Sequence, residues 1–152
     1  MAEWKTEMSD LIAPLIHAKQ HRRLQGWYVF CAFALLAPIA AWGAHATLGL
    51  SLTVSSWPAA VWLLLGAPIL EEWIFRQGLQ QGLLDRGFSA RIALIGTAAV
   101  FAACHYPQSS FLSIWWVIPG LALGLMWECC GRRLWPGMVL HAWFNVVLTI
   151  NS

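Results

Sequence analysis

The chain alternates between long apolar runs and short segments that hold most of its charged residues. The runs stay apolar over several helical turns and lack the two-residue alternation of a half-buried strand. At about 1.5 Å of rise per residue, a run of about 20 residues crosses the ~30 Å hydrocarbon core of a bilayer. The pattern predicts an all-α fold, a polytopic bundle of about five transmembrane helices, over residues 26–50, 57–84, 90–106, 111–129 and 134–150.

The segment before the first run has a different pattern. Its apolar residues recur at helical spacing with charged residues between them, which is typical of an amphipathic helix on the cytoplasmic membrane surface. A solvated lead-in to the first span is the alternative. We therefore divide the chain into a lead-in over residues 1–25 and one membrane domain over residues 26–152. The run over 26–50 is too long for a signal peptide, so we expect it to remain as a permanent helix.

Composition agrees with a membrane protein. Of 152 residues, 59% are hydrophobic and 11% are charged, and eleven are tryptophan. These values exclude a water-soluble globule of ordinary composition. We expect an integral, multi-pass membrane protein whose main surroundings are the lipid bilayer.

The cations between the runs indicate an orientation. They precede the first run, separate the second from the third, and separate the fourth from the fifth: Lys5, Lys19, Arg22, Arg23; Arg86, Arg91; Arg132, Arg133. By the positive-inside rule, this distribution predicts a cytoplasmic N-terminus and an extracytoplasmic C-terminus. Topology accounts for these few cations, so we predict no nucleic-acid partner.

Three ionisable residues, Glu71, Glu72 and Arg76, lie inside the second run. Each charge at the centre of a membrane helix opposes insertion by roughly 2.5 to 3.5 kcal/mol. Glu72 and Arg76 are four residues apart on one helical face, whereas Glu71 points about 100° away. The spacing predicts that Arg76 pairs with Glu72 and leaves Glu71 available for chemistry, although an inert buried network that fixes helix packing uses the same residues.

Polar residues on two other predicted helices fall at a similar depth. Counted at ~1.5 Å per residue from the nearest predicted cytoplasmic arginine, Glu71 lies about 22 Å away, His105 about 21 Å and Asn145 about 18 Å. His141 lies one turn nearer the cytoplasm, on the face of Asn145. The sequence thus predicts a polar site near the middle of the membrane or in its outer half.

These residue types can hydrolyse an amide. A carboxylate in a dry pocket holds a proton more readily, which makes it a usable general base at neutral pH. Glu71 and His105 could orient and deprotonate a water molecule. His141 and Asn145 could donate hydrogen bonds to the oxyanion that forms on the attacked carbonyl.

Two other interpretations of the same residues stay open. Glu71, His105 and His141 could hold zinc as a two-histidine, one-carboxylate site with water in the open position, although the helical His-Glu-x-x-His motif is absent. The polar residues could also form a hydrogen-bonded network that only holds the helices together.

The ordered motifs are similar to those of a known family. Glu71-Glu72-x-x-x-Arg76, Phe101-x-x-x-His105 and His141-x-x-x-Asn145 follow one another on successive apolar runs, and Leu134-Trp135-Pro136 precedes the last run. The chain resembles the CAAX prenyl protease and bacteriocin-processing family of intramembrane proteases, also called the Abi family. The resemblance covers residues 57–150.

The resemblance implies a glutamic-type intramembrane peptidase without a cofactor. Glu71 and His105 would activate water, His141 and Asn145 would form the oxyanion site, and Glu72 and Arg76 would support them. Family members were earlier regarded as metalloproteases, which keeps zinc as the runner-up.

The resemblance also bears on the substrate and the location of the protein. Short relatives resemble bacterial enzymes that remove C-terminal sorting tags, as myxosortases do. They suggest a membrane-anchored protein or peptide substrate, cut near its C-terminus, and a bacterial inner membrane. A noncatalytic bacteriocin-immunity or scaffold protein is the alternative from another class.

Overall fold

We describe the fold from a computed structural model. It describes the backbone of residues 3–48, 53–105 and 115–150, and the side chains of 24–46, 53–105 and 115–150. Within these ranges the chain is helical and contains no strand. The helices are α1 (Glu3–Leu48), α2 (Trp57–Asp85), α3 (Ala90–Cys104), α4 (Val117–Cys129) and α5 (Leu134–Ile150).

The all-α prediction is confirmed for the described residues. Helices α2 and α5 match their predicted runs to within one residue at each end. The predicted segments at Tyr106 and over 111–114 lie outside the described residues, as does the loop between them. Helix α1 continues without a break from the lead-in into the first apolar run. The two interpretations of the lead-in depend on side chains of residues 1–23, which also lie outside the described ones.

Two described helical segments, Leu24–Ala46 and Trp57–Asp85, are long and apolar enough to cross a membrane, judged by length and composition. The apolar helices α3, α4 and α5 are shorter, with 15, 13 and 17 residues. Large apolar side chains are exposed along the outer faces of α1 and α2, as expected for surfaces that face lipid.

Two tight turns end α2 and α4 in the same way. At the end of α2, the N–H of Phe88 donates to the Leu83 carbonyl and Gly87 adopts a φ of 84°. At the end of α4, the N–H of Arg132 donates to the Trp127 carbonyl and Gly131 has a φ of 66°. Both are Schellman motifs, in which glycine supplies the left-handed residue that stops the helix.

Helix α2 is not a regular α-helix. Pro58 lies in its first turn. Two π-helical segments, Trp62–Gly66 and Trp73–Gln80, interrupt the α-helical hydrogen bonding. Pro68 lies two residues beyond the end of the first segment. A π-helix has more residues per turn than an α-helix, so it changes which side chains share a face, and such segments are frequent at functional sites.

Helices α1, α4 and α5 pack around an apolar core. Leu123 and Met126 of α4 and Leu140 of α5 form its centre, and aromatic side chains of α1 pack against them. The backbones approach closely where residues are small. An added Cβ on Gly120 of α4 would lie 3.1 Å from the Ala98 Cα of α3. This packing holds α4 and α5 against α2, where the polar residues lie.

Candidate active site

A row of buried polar side chains runs along one face of α2. Glu72, Arg76 and Gln80, spaced four residues apart, are each 0% exposed. Arg76 Nε lies 3.2 Å from Glu72 Oε2, and Arg76 Nη1 donates to Gln80 Oε1 at 3.3 Å. The predicted pairing of Glu72 with Arg76 is therefore present, and Gln80 extends it by one more turn.

The row is anchored to α4 by backbone carbonyls. Arg76 Nη2 donates to the Gly120 carbonyl at 3.2 Å, and Gln80 Nε2 donates to the Gly124 carbonyl at 3.4 Å. Gln80 Nε2 also lies 3.4 Å from Glu128 Oε1, at the end of α4. The buried guanidinium thus has a carboxylate, an amide oxygen and a carbonyl as acceptors, which is what a buried charge requires.

Glycines make room for these polar groups. An added Cβ on Gly124 would lie 2.9 Å from Gln80 Oε1 and 3.1 Å from Arg76 Nη1. An added Cβ on Gly137 of α5 would lie 2.6 Å from Glu72 Oε2. Small residues at these two places let α4 and α5 approach the charged face of α2.

Glu71 lies between two histidines from other helices. Its Oε2 atom is 3.8 Å from His105 Nε2 of α3 and 3.7 Å from His141 Nε2 of α5. That oxygen is buried and has no hydrogen-bond partner among the described residues. Both gaps are too long for a direct hydrogen bond, but one water oxygen can bond to both atoms across such a gap. Three of the four predicted catalytic residues therefore meet at one point.

The ring of His105 is held in one orientation. Its Nδ1 lies 2.8 Å from the Phe101 carbonyl, which can only accept a hydrogen bond. Nδ1 therefore carries the proton, and in the neutral ring Nε2 presents a lone pair toward Glu71. The ring also packs between Phe101 and Trp116, at centroid distances of 4.5 and 4.6 Å. His105 is thus positioned to accept a proton at Nε2.

His141 lies between the two adjacent carboxylates. Its Nδ1 is 3.5 Å from Glu72 Oε1, and its Nε2 faces Glu71 Oε2. Each ring nitrogen faces a carboxylate oxygen, so a nitrogen that carries a proton faces an acceptor. The buried ring of Phe101 contacts both histidines, with its centroid 5.9 Å from that of His141. The His141 ring thus packs against Phe101 and lies beside the Glu72 carboxylate without a direct hydrogen bond to it among the described residues.

Asn145, the fourth predicted catalytic residue, has a partner that the sequence did not indicate. Its Nδ2 donates to the Leu63 carbonyl of α2 at 2.8 Å. In the π-helical segment the Ala67 N–H bonds to the Trp62 carbonyl instead of to Leu63. The next residue, Pro68, has no N–H. Asn145 supplies the hydrogen bond that α2 cannot, and its second N–H is left for another acceptor.

An apolar cavity opens beside these residues, between α1, α4 and α5. It has a volume of about 300 Å³, and His141, Asn145 and Trp116 line its polar end. Small residues of α1, among them Ala40 and Ala44, also line it. An apolar chain in this cavity would meet the donors of His141 and Asn145.

The positions of the possible ligand atoms bear on the zinc interpretation. In the described part of the chain, no group of three or more His, Cys, Asp and Glu side chains is arranged to hold a metal ion. Glu71, His105 and His141 carry the right ligand types, and Glu71 Oε2 lies 3.7 and 3.8 Å from the imidazole nitrogens, close to the spacing between two ligands of one tetrahedral zinc. We derive no step of the chemistry through a metal.

Sequence analysis missed Gln80 and the Leu63 carbonyl. Gln80 lies four residues beyond Arg76, so the spacing that paired Glu72 with Arg76 could have identified it. The Leu63 carbonyl lacks a donor within α2 because of the hydrogen-bond register of that helix. Pro68 is the sequence signal for this register. Glu128 Oε2 lies 3.6 Å from Arg132 Nε, and Glu128 Oε1 lies 3.4 Å from Gln80 Nε2.

Two helical segments long and apolar enough to cross a membrane belong to a bundle that encloses two carboxylates, two histidines and an arginine. Ionisable groups inside such a bundle are typical of a functional site in a helical membrane protein. The family model described as type II CAAX prenyl endopeptidase Rce1-like matches residues 53–147, more than half of the chain. The chain belongs to this family, whose members are integral membrane proteins of the CAAX-type intramembrane protease class. No curated protein and no solved structure matches the chain significantly.

Proposed function

We propose that this protein is a glutamic-type intramembrane endopeptidase that hydrolyses a peptide bond of a membrane-anchored protein, near the C-terminus of that protein. The proposal rests on one observation above others. The buried Glu71 Oε2 has no described hydrogen-bond partner and faces the Nε2 atoms of His105 and His141 across gaps that suit a bridging water. Membership in a protease family supports hydrolysis as the chemistry.

In the proposed mechanism, Glu71 and His105 share the work of activating water. The water oxygen attacks the carbonyl carbon of the scissile bond, and its proton passes to the Glu71 carboxylate or to His105 Nε2. The Phe101 carbonyl holds His105 in the tautomer that can accept this proton. The same proton then goes to the departing amine nitrogen when the carbon–nitrogen bond breaks.

His141 and Asn145 stabilise the oxyanion in this mechanism. His141 lies beside Glu72, whose charge is balanced by Arg76, and it can donate from Nε2. Asn145 uses one N–H for the Leu63 carbonyl and can offer the other to the substrate oxygen. Donors fixed before the reaction stabilise developing charge most effectively in a water-excluded site.

The test uses the purified protein and a membrane-anchored reporter with a cleavable C-terminal peptide. Metal content is measured on the same preparation, and cleavage is followed with and without a chelator. We expect cleavage that resists chelation, needs no stoichiometric zinc and is lost in Glu71→Gln. Retained cleavage in both Glu71→Gln and His105→Ala would contradict the proposed water-activating pair.

The same experiment separates the alternatives. Tightly bound zinc with chelator-sensitive cleavage would make Glu71, His105 and His141 metal ligands. The absence of cleavage across a panel of anchored peptides, from a folded protein, would favour the noncatalytic immunity or scaffold role. The hydrogen bond from Asn145 to the Leu63 carbonyl is the kind of contact on which a purely packing network depends.

A further inference from the structure

A second groove lies at the opposite end of the bundle from the Asn145–Leu63 contact. It runs between α1, the α4–α5 turn and α5 and has a volume of about 420 Å³. Each of three helices lines it with residues about one turn apart: Trp27 and Phe30, Met126 and Cys130, Trp135 and Val139. The groove therefore runs along the helix axes, parallel to the chains of a surrounding lipid.

One cation, Arg133, lies at the mouth of the groove. Its side chain is exposed, and the described part of the chain provides neither a hydrogen-bond nor an ion-pair partner for it. The preceding residue behaves differently, because Arg132 contacts both Glu128 and Gln81. Among the described residues, no acidic side chain lines the groove, which leaves the charge of Arg133 facing it without a carboxylate from that part of the chain.

The aromatic residues place the mouth at the membrane surface. Trp27 and Trp135 are 56% and 53% exposed on either side of the groove. Tryptophan is enriched at the level of lipid headgroups, where its ring meets both apolar and polar surroundings. Contact between Arg132 and Gln81 brings the α4–α5 turn beside the end of α2, so Arg86 and Arg91 lie at the same end.

We propose that this groove binds one anionic phospholipid, with the headgroup phosphate on Arg133 and an acyl chain along Phe30, Met126 and Val139. Basic pockets between membrane helices bind anionic headgroups in this way. The site is separate from the cavity at His141, and the proposal does not rest on peptidase activity.

The test compares retention of phosphatidylglycerol and phosphatidylcholine, with identical acyl chains, by the full-length protein in neutral detergent, measured by native mass spectrometry. We expect preferential retention of phosphatidylglycerol, reduced about fivefold in Arg133→Gln, which is the effect of one surface cation. Arg91→Gln is the matched control, since it removes an exposed charge at the same end but outside the groove. Its retention should equal that of the wild type.

A second variant tests the apolar part of the groove. Val139→Trp keeps Arg133 but fills the space for the acyl chain, and a larger side chain can be accommodated because Val139 is 50% exposed. We expect weaker retention of phosphatidylglycerol in this variant too. Wild-type retention in Arg133→Gln or in Val139→Trp, an equal loss in Arg91→Gln, or equal retention of both lipids would overturn the proposal.

Discussion

Two neighbouring glutamates with the same chemistry have different surroundings. Glu72 is fully buried and paired with Arg76, whereas Glu71 is partly exposed and, within the described part of the chain, lies against the nitrogens of two histidines. Adjacent residues on a helix point about 100° apart, so Glu72 can pair with Arg76 while Glu71 faces the two histidines.

We predict that Glu71→Gln and Glu72→Gln have different effects on stability. Glu71→Gln should lower peptidase activity by about 10²-fold or more, the usual effect of losing a general base, and leave thermal unfolding in detergent unchanged. Glu72→Gln leaves the buried Arg76 without its counter-charge, which costs about 3 to 5 kcal/mol of folding free energy. Thermal unfolding of both variants in the same detergent is the measurement. Equal stability losses would show that Glu71 also has a structural partner.

At the level of the helix, the irregular hydrogen-bond register of α2 determines the partner of Asn145. Asn145→Ala should leave the Leu63 carbonyl without a donor, at a cost of about 1 to 3 kcal/mol. Pro68→Ala returns an N–H at the π-helical spacing from Leu63. We therefore expect the double variant to lose less stability than the sum of the two single variants, with a coupling of about 1 kcal/mol.

The control for this cycle is Pro58→Ala combined with Asn145→Ala. Pro58 lies in the first turn of α2, where a backbone N–H has no helical acceptor. Its effect should add to that of Asn145→Ala without coupling. Additivity in the Pro68 cycle would mean that the register of α2 does not explain the Asn145 contact.

The contact between α2 and α4 depends on Gly124, which has no side chain. An added Cβ on Gly124 would lie 2.5 Å from Leu94 Cδ1, 2.9 Å from Gln80 Oε1 and 3.1 Å from Arg76 Nη1. Gly124→Ala should therefore destabilise the protein by about 1 to 3 kcal/mol and lower its activity, because overpacking displaces the polar row. Thermal unfolding and reporter cleavage measure the two effects.

Gly96→Ala is the matched substitution for Gly124→Ala. An added Cβ there meets only Leu83 Cδ1, at an ordinary 3.8 Å. This variant should be neutral or stabilised by up to about 1 kcal/mol, because alanine favours a helix over glycine. A Gly124→Ala variant as stable as Gly96→Ala would show that α2 and α4 can separate without cost.

For the whole molecule, the described arginines between helices gather at one end, which the sequence predicts to be cytoplasmic. We expect a fluorescent protein inserted after Gly87 to fold and fluoresce in a bacterial host. Alkaline phosphatase inserted after Thr53 should be active, because that loop would lie on the extracytoplasmic side. Exchanging the two reporters should silence both. Signals from the exchanged pair would show that the orientation is opposite to the predicted one.

Local spacing was enough to predict several features. The bounds of α2 and α5 followed from the apolar runs, and the Glu72–Arg76 pair followed from the four-residue spacing. Counting residues along straight helices also brought Glu71 and His105 to a common depth, and the two lie 3.8 Å apart. These predictions succeeded because they depend on helical geometry alone, which neighbouring helices change little.

Other features needed the packed molecule. Three features of α2 and its neighbours depend on which helices meet. They are the π-helical segments, the Leu63 carbonyl that lacks a donor within α2, and the space beside Gly124 and Gly137 for charged side chains. The role of Gln80 depends on the carbonyls of α4, more than 40 residues away in the chain. The residue types and their order along the chain thus determined a helical membrane protease with its ionisable groups. Only the tertiary structure decided which donors and acceptors face one another, since long-range contacts between helices select each buried polar partner.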